Sequence, residues 1–212
     1  FRFCKTLGLR GYQEFKMLLS LSLDNPKKEQ INGVSITSTD QENSLIRRVY
    51  NANIGALSDT MATIDMDSLA KAVDMLIDAQ EIFFYGVGSS LLSAKEAMSR
   101  FLRITIKTRS VEDPHMQSMA ASLMNENHVA VFISHSGATK DIINCARIAR
   151  ESNSKIIAIT RYLKSPLTGY ADVTLQSGSD EGPMQGGAIS TKISQLFIID
   201  LLYNEYVRRL PE

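Results

Sequence analysis

Residues 128–141 read H-V-A-V-F-I-S-H-S-G-A-T-K-D. The apolar run from Val129 to Ile133 has the character of a strand buried on both faces. It stops at Ser134-His135-Ser136-Gly137, and Ala138 and Thr139 then open a helical pattern. The first N–H groups of a helix have no partner inside it, and the macrodipole adds partial positive charge there. A buried strand that ends in small hydroxyl residues and feeds a helix N-terminus is therefore a place to hold an anion. Ser134, Ser136 and Thr139 can donate to the same oxygens. Bonds to a charged acceptor contribute about 1.5–3 kcal/mol each, so three or four suffice to hold a phosphate.

Outward from that stretch, strands and helices alternate from residue 80 on. Strands are predicted over 82–87, 107–111, 129–133, 155–160 and 173–175. Helices are predicted over 91–104, 114–124, 138–152 and 189–207, with a short one started by Ser165-Pro166. Continuous apolar strands alternating with helices imply an α/β fold, a five-stranded parallel sheet sandwiched by helices. Such sheets bind ligands beyond the carboxyl ends of their strands. A second turn, Gly86-Val87-Gly88-Ser89-Ser90, falls at such an end. Alone, its glycines serve close packing as readily as binding. The third glycine of a dinucleotide fingerprint would fall at Leu91, so NAD binding is not expected.

The chain has 212 residues, 44% of them hydrophobic, and a formal net charge of zero. That supplies a sizeable core and excludes a polycation. Cys4 and Cys145 stand far apart without metal-ligand spacing, which suggests a reducing compartment and no disulfide framework. His115 and His128 lack a partner at ligand spacing, and no metal or cofactor is expected. With no signal peptide and no membrane-spanning run, a cytoplasmic location is the expectation. A start at Phe1 rather than Met suggests a fragment.

Residues 1–28 differ from the rest. Arg2, Lys5, Arg10, Lys16, Lys27 and Lys28 outnumber Glu14 and Asp24. A short helix is read as stopping near Gly8, with a second starting at Gly11-Tyr12. So short a piece cannot bury a core alone. Residues 29–43 are polar and read as a linker. Residues 44–64 carry Leu45, Ile46, Val49, Ile54, Leu57 and Met61 at helical spacing, and Asp65 or Asp67 caps a further helix.

The pair G-V-G-S-S and S-H-S-G-A-T-K-D resembles the SIS (sugar isomerase) domain, a flavodoxin-like module that binds phosphosugars. The likeness covers residues 44–212. It implies that Ser89 and Ser90 on one turn, and Ser134, Ser136, Gly137 and Thr139 on the other, grip a sugar phosphate. His135 occupies the variable position between the serines, where its imidazole either donates one more bond or lies outside the pocket. The glycine-rich loop Glu181 to Ala188 is where such domains close over the sugar, with Glu181 as a ligand-binding residue or a base.

The front end, R-F-C-K-T-L-G-L-R-G-Y-Q-E-F-K, is similar to the end of the helix-turn-helix domain of RpiR-type bacterial regulators. That resemblance implies an all-α DNA-binding remnant at 1–28, with Arg2 and Lys5 at the end of a recognition helix. The expected partners are a phosphosugar effector, a DNA operator and further copies of the chain, as homodimer or homotetramer. The expected function is regulation of transcription, most simply repression of sugar or amino-sugar catabolism, without catalysis. The competing reading is an aldose–ketose isomerase, whose base would be Glu181, His135 or Glu96. A third reading is a sugar-phosphate-binding subunit of another enzyme.

Overall fold

A computed structural model describes residues 2–9, 14–15, 38–178 and 189–210. Three helices come first, α1 (Arg2–Thr6), α2 (Ser38–Thr63) and α3 (Met66–Asp78). The α/β part then runs β1 (Glu81–Tyr85), α4 (Ser89–Phe101), β2 (Thr108–Ser110), α5 (Pro114–Ser122), β3 (His128–Ile133), α6 (Lys140–Glu151), β4 (Lys155–Thr160), β5 (Val173–Gln176) and α7 (Ile189–Arg209). The five strands are parallel throughout, in the order β2-β1-β3-β4-β5. That is the expected five-stranded parallel sheet between helices. After β2 the chain returns across β1 to β3, so the order reverses direction between β1 and β3. Their carboxyl ends form the topological switch point, with Tyr85 level with Phe132.

Alternation along each strand sends side chains to opposite faces. Ile82, Phe84, Val129, Val131, Ile133, Ile157 and Ile159 pack under α3, α4 and α7. Tyr85, Ala130, Phe132, Ile156 and Ala158 pack under α5 and α6. Because both faces are covered, β3 reads as an unbroken apolar run rather than an alternating one. Two helices start where an aspartate satisfies an unpaired amide. Asp65 accepts from Ser68 N–H at 2.9 Å, and Asp113, followed by Pro114, accepts from Met116 N–H at 2.9 Å.

Some boundaries differ from the sequence reading. α2 begins at Ser38, six residues inside the stretch read as linker. The helix expected at Ser165-Pro166 is instead a series of turns over 161–170. Thr168 explains this: its hydroxyl donates to Ser165 O at 2.8 Å and accepts from Ser165 N–H at 3.1 Å. Such local side-chain bonds offer the backbone an alternative to the helix. α2 packs along α7, yet Leu45, Ile46, Val49, Tyr50, Ile54 and Met61 remain exposed on it. Among the described residues no helix is long and apolar enough to cross a membrane.

Cys145 is fully buried on α6, and burial pushes its thiol up from 9.0 to about 12. Between those two values the unfolded chain has lost the proton that the folded one keeps. Stability therefore falls as pH rises through that window. Urea unfolding of the parent and of Cys145→Ala, compared from about pH 8 to about pH 11, is expected to show the parent losing ground to the variant only above about pH 9. Parallel pH dependences would contradict this account.

Candidate functional site

The turn after β1 is built to bring its backbone close to the next helix. A Cβ on Gly86 would stand 2.7 Å from Ser90 C, so only glycine fits. Gly88, at φ +60°, precedes α4 as its N-cap and supplies no side-chain cap to the first helical amides. Ser89 and Ser90 are the first two residues of that helix.

The turn after β3 is held from beneath by the end of β4 and the segment that follows it. Ser134 N–H donates to Ile159 O at 3.0 Å. His135 O accepts from Arg161 N–H at 3.0 Å and from the Thr160 hydroxyl at 3.1 Å. Gly137 lies at φ +59°, and its carbonyl accepts from Leu167 N–H at 3.0 Å. A Cβ on Gly137 would lie 2.6 Å from Ser165 Cβ. Thr139 is the N-cap of α6, and its side chain makes no capping bond. Its hydroxyl instead faces that of Ser134 across 3.4 Å. The Ser136 hydroxyl accepts from Ala138 N–H at 3.1 Å, which leaves its proton available.

These two turns enclose one cavity of about 210 Å³ at the switch point. Ser89, Ser90, Ser134, His135, Ser136 and Thr139 all line it. The structure thus gathers six of the residues singled out from the sequence. His135, for which the sequence left open an added hydrogen bond or a place outside the pocket, is among the residues at the cavity wall. Gly137 does not line the cavity; it shapes the turn. Glu181 lies outside the described residues. Arg2 and Lys5 are on α1, where Lys5 is exposed and does not line the cavity.

Thr191, near the start of α7, completes the wall and was not picked out by the sequence reading. Helical phase held the signal: Thr191, Gln195, Ile198 and Leu202 recur at four- and three-residue steps, and all are buried. Two larger cavities, of about 560 and 570 Å³, lie in grooves along α7. They are walled mainly by apolar side chains and lack convergent hydroxyls. Glu96, one of the three bases considered for an isomerase, lines the first of these grooves rather than the hydroxyl cavity. Among the described residues, hydroxyls, one imidazole and apolar groups wall the hydroxyl cavity, at the open ends of two helices. Chemically that arrangement favours an anion bearing several oxygen acceptors.

Comparison with known proteins gives a consistent result. The SIS domain family matches residues 75–205. An uncharacterized HTH-type transcriptional regulator of Caldanaerobacter subterraneus subsp. tengcongensis is 37% identical over 217 residues, covering 99% of this chain and 76% of that protein. The HTH-type transcriptional regulator RpiR of Escherichia coli K12 is 26% identical over 199 residues, covering 94% and 67%. Among solved structures, the Vibrio vulnificus NanR protein complexed with ManNAc-6P superposes with a TM-score of 0.80 at 28% identity, covering 99% of this chain and 74% of that one.

Gly137 gives the geometry a direct test. Gly137→Ala combines a left-handed backbone with a collision against Ser165, and is expected to lower stability by about 1–3 kcal/mol. Gly169→Ala is the control. Its φ is ordinary and its added Cβ meets only Pro166 O at 3.4 Å, so its melting temperature should stay close to the parent's. Equal melting temperatures for the two variants would mean that the turn is not held as described.

Proposed function

The chain belongs to the RpiR-type HTH transcriptional regulators that carry a SIS domain, and from that premise we propose that the hydroxyl cavity binds a phosphosugar effector that modulates DNA binding. One observation supports this most: five hydroxyl residues from two separate turns, Ser89, Ser90, Ser134, Ser136 and Thr139, line one cavity at the N-termini of α4 and α6. The phosphate group of the effector sits among them, with amides of both helices donating to its oxygens. Thr191 and His135 contact its outer oxygens or the first sugar hydroxyls. Glu181, outside the described residues, is a further residue to contact the sugar. The NanR relative is a structure with ManNAc-6P, so N-acetylhexosamine 6-phosphates are the first class to test here.

An aldose–ketose isomerase needs a base at the carbon that loses its proton. Of the three considered, Glu96 lines a different groove and Glu181 lies outside the described residues, which leaves the His135 imidazole among hydroxyls and apolar groups. That composition favours a sensor over an enzyme. The segment carrying Arg2 and Lys5 contributes to operator contact through the phosphate backbone. The exposed apolar face of α2, with Leu45, Ile46, Val49 and Tyr50, supports assembly into a homodimer or homotetramer. A symmetric assembly sets the spacing of two DNA-binding heads, and an effector that favours one spacing changes operator affinity. The simplest physiological role is repression of sugar or amino-sugar catabolism in the cytoplasm.

The test is titration of the full-length regulator on its own promoter with a panel of hexose and N-acetylhexosamine 6-phosphates. At least one should change operator affinity by about 5–150-fold, the span of a coupling of about 1–3 kcal/mol. Ser134→Ala should weaken binding of that sugar phosphate by more than about tenfold, the loss of one bond to a charged acceptor, while the melting temperature hardly moves. A panel with no effect on operator binding would refute the sensor reading.

A further inference from the structure

Deep to the cavity, a buried amide joins α7 to α4. Gln195 on α7 is 2% exposed and Ser93 on α4 is fully buried. The Ser93 hydroxyl donates to Gln195 Oε1 at 2.7 Å, and Gln195 Nε2–H donates to the Ser90 hydroxyl at 3.1 Å. Packing alone does not call for an amide here. Ala94, Ala97, Ile198 and Ile199 hold the neighbouring parts of α4 and α7 with apolar groups. The bonds run from Ser93 through Gln195 to Ser90.

A hydroxyl has one proton and two lone pairs. When Ser90 accepts from Gln195, its own proton points away from that nitrogen, and the wall that Ser90 lines is the hydroxyl cavity. A hydroxyl that presents its proton attracts a phosphate oxygen; one that presents a lone pair repels it. We infer that Gln195 is a positioning residue that, held by Ser93, fixes Ser90 as a hydrogen-bond donor to the anion in the cavity. This rests on the phosphosugar reading and adds to it. Anion affinity then depends on a side chain that does not line the cavity at all.

Gln195→Glu separates positioning from mere packing, because the two side chains have nearly the same shape. A protonated glutamic acid reproduces the amide: its carbonyl accepts from Ser93 and its O–H donates to Ser90. An ionised one only accepts, so it turns the Ser90 proton inward and presents a lone pair to the anion. Charged groups near this position are Glu96 and Arg100 on α4 and Lys192 and Asp200 on α7, all lining the groove that Ser93 also borders, and His135 on the cavity side. Their titration, like that of the ligand, is common to parent and variant and cancels in the ratio of affinities.

The experiment is a phosphorus NMR titration of the full chain with inorganic phosphate and with N-acetylmannosamine 6-phosphate at about pH 5.5 and about pH 8.5, values on either side of a buried glutamate's ionisation. The expected result is a loss of more than about tenfold in Gln195→Glu at the higher pH, shrinking to less than about threefold at the lower, with unchanged circular dichroism. In a Ser90→Ala background the same substitution should cost little at either pH, because its effect passes through Ser90. Gln195→Leu should lose affinity equally at both pH values. If the parent binds these anions and Gln195→Glu matches it at the higher pH, Gln195 does not set the Ser90 proton, while the phosphosugar reading stands. If the parent binds neither anion, both readings fall.

Discussion

Parallel strands covered on both faces leave their ligand chemistry only one outlet, and this chain is organised around it. Every strand points the same way, so each strand-to-helix turn delivers unpaired amide donors to one edge of the sheet. Between β1 and β3 the order reverses, the two following helices leave on opposite faces, and a crevice opens between their N-termini. Two sets of unpartnered N–H groups and two half-dipoles of like sign then face one small space. Left to solvent they cost little, and supplied with a dianion they become a binding site. The hydroxyls of Ser89, Ser90, Ser134, Ser136 and Thr139 enlarge a field that the topology already makes.

A site of this kind works only if its donors stay where they are. The turn after β3 is stiffened by bonds that never touch a ligand: Ser134 N–H to Ile159 O, Arg161 N–H and the Thr160 hydroxyl to His135 O, and Leu167 N–H to Gly137 O. Backbone groups are thus spent on holding the turn, and side-chain hydroxyls are left for the cavity. The left-handed glycine at 137 lets the chain turn over Ser165 without a Cβ in the way. Order built into the free protein need not be paid for on binding.

Much of this was legible in the sequence because two signals coincided. The apolar run at 129–133 belongs to a strand covered on both faces, and a run of three hydroxyls in six residues right after it exceeds what a turn requires. The SIS resemblance then assigned the second turn, which on its glycines alone was ambiguous. What escaped had different causes. Thr191 and Gln195 read as ordinary members of a long helix, since nothing in a linear sequence says that α7 returns to the switch point some 100 residues after β1. Ser165-Pro166 predicts a short helix because Ser-Pro is a common helix start. Thr168, three residues on, diverts the backbone by bonding Ser165 on both sides. The exposed apolar face of α2 has a helical period that cannot tell a buried stripe from one awaiting a partner.

One helix ties the cavity to the front of the chain. Within its first two turns α7 presents Thr191 to the cavity wall, Gln195 to Ser90, and Ser194 to the start of the fold. The Ser194 hydroxyl donates to Gly178 O at 2.8 Å, and Gly178 N–H donates to the Thr60 hydroxyl at 3.0 Å on α2. Thr60 in turn donates to Ala56 O at 2.6 Å. The fit is close, since a Cβ on Gly178 would come within 2.5 Å of Thr60 N. Thr191 and Gln195 at the cavity and Ser194 against α2 therefore lie on the same two turns of α7. Joining those parts through buried hydrogen bonds rather than apolar contact matters energetically. Apolar surfaces slide at small cost, whereas a buried donor that loses its partner costs about 1–3 kcal/mol. That equals the coupling of about 1–3 kcal/mol with which one site typically influences another.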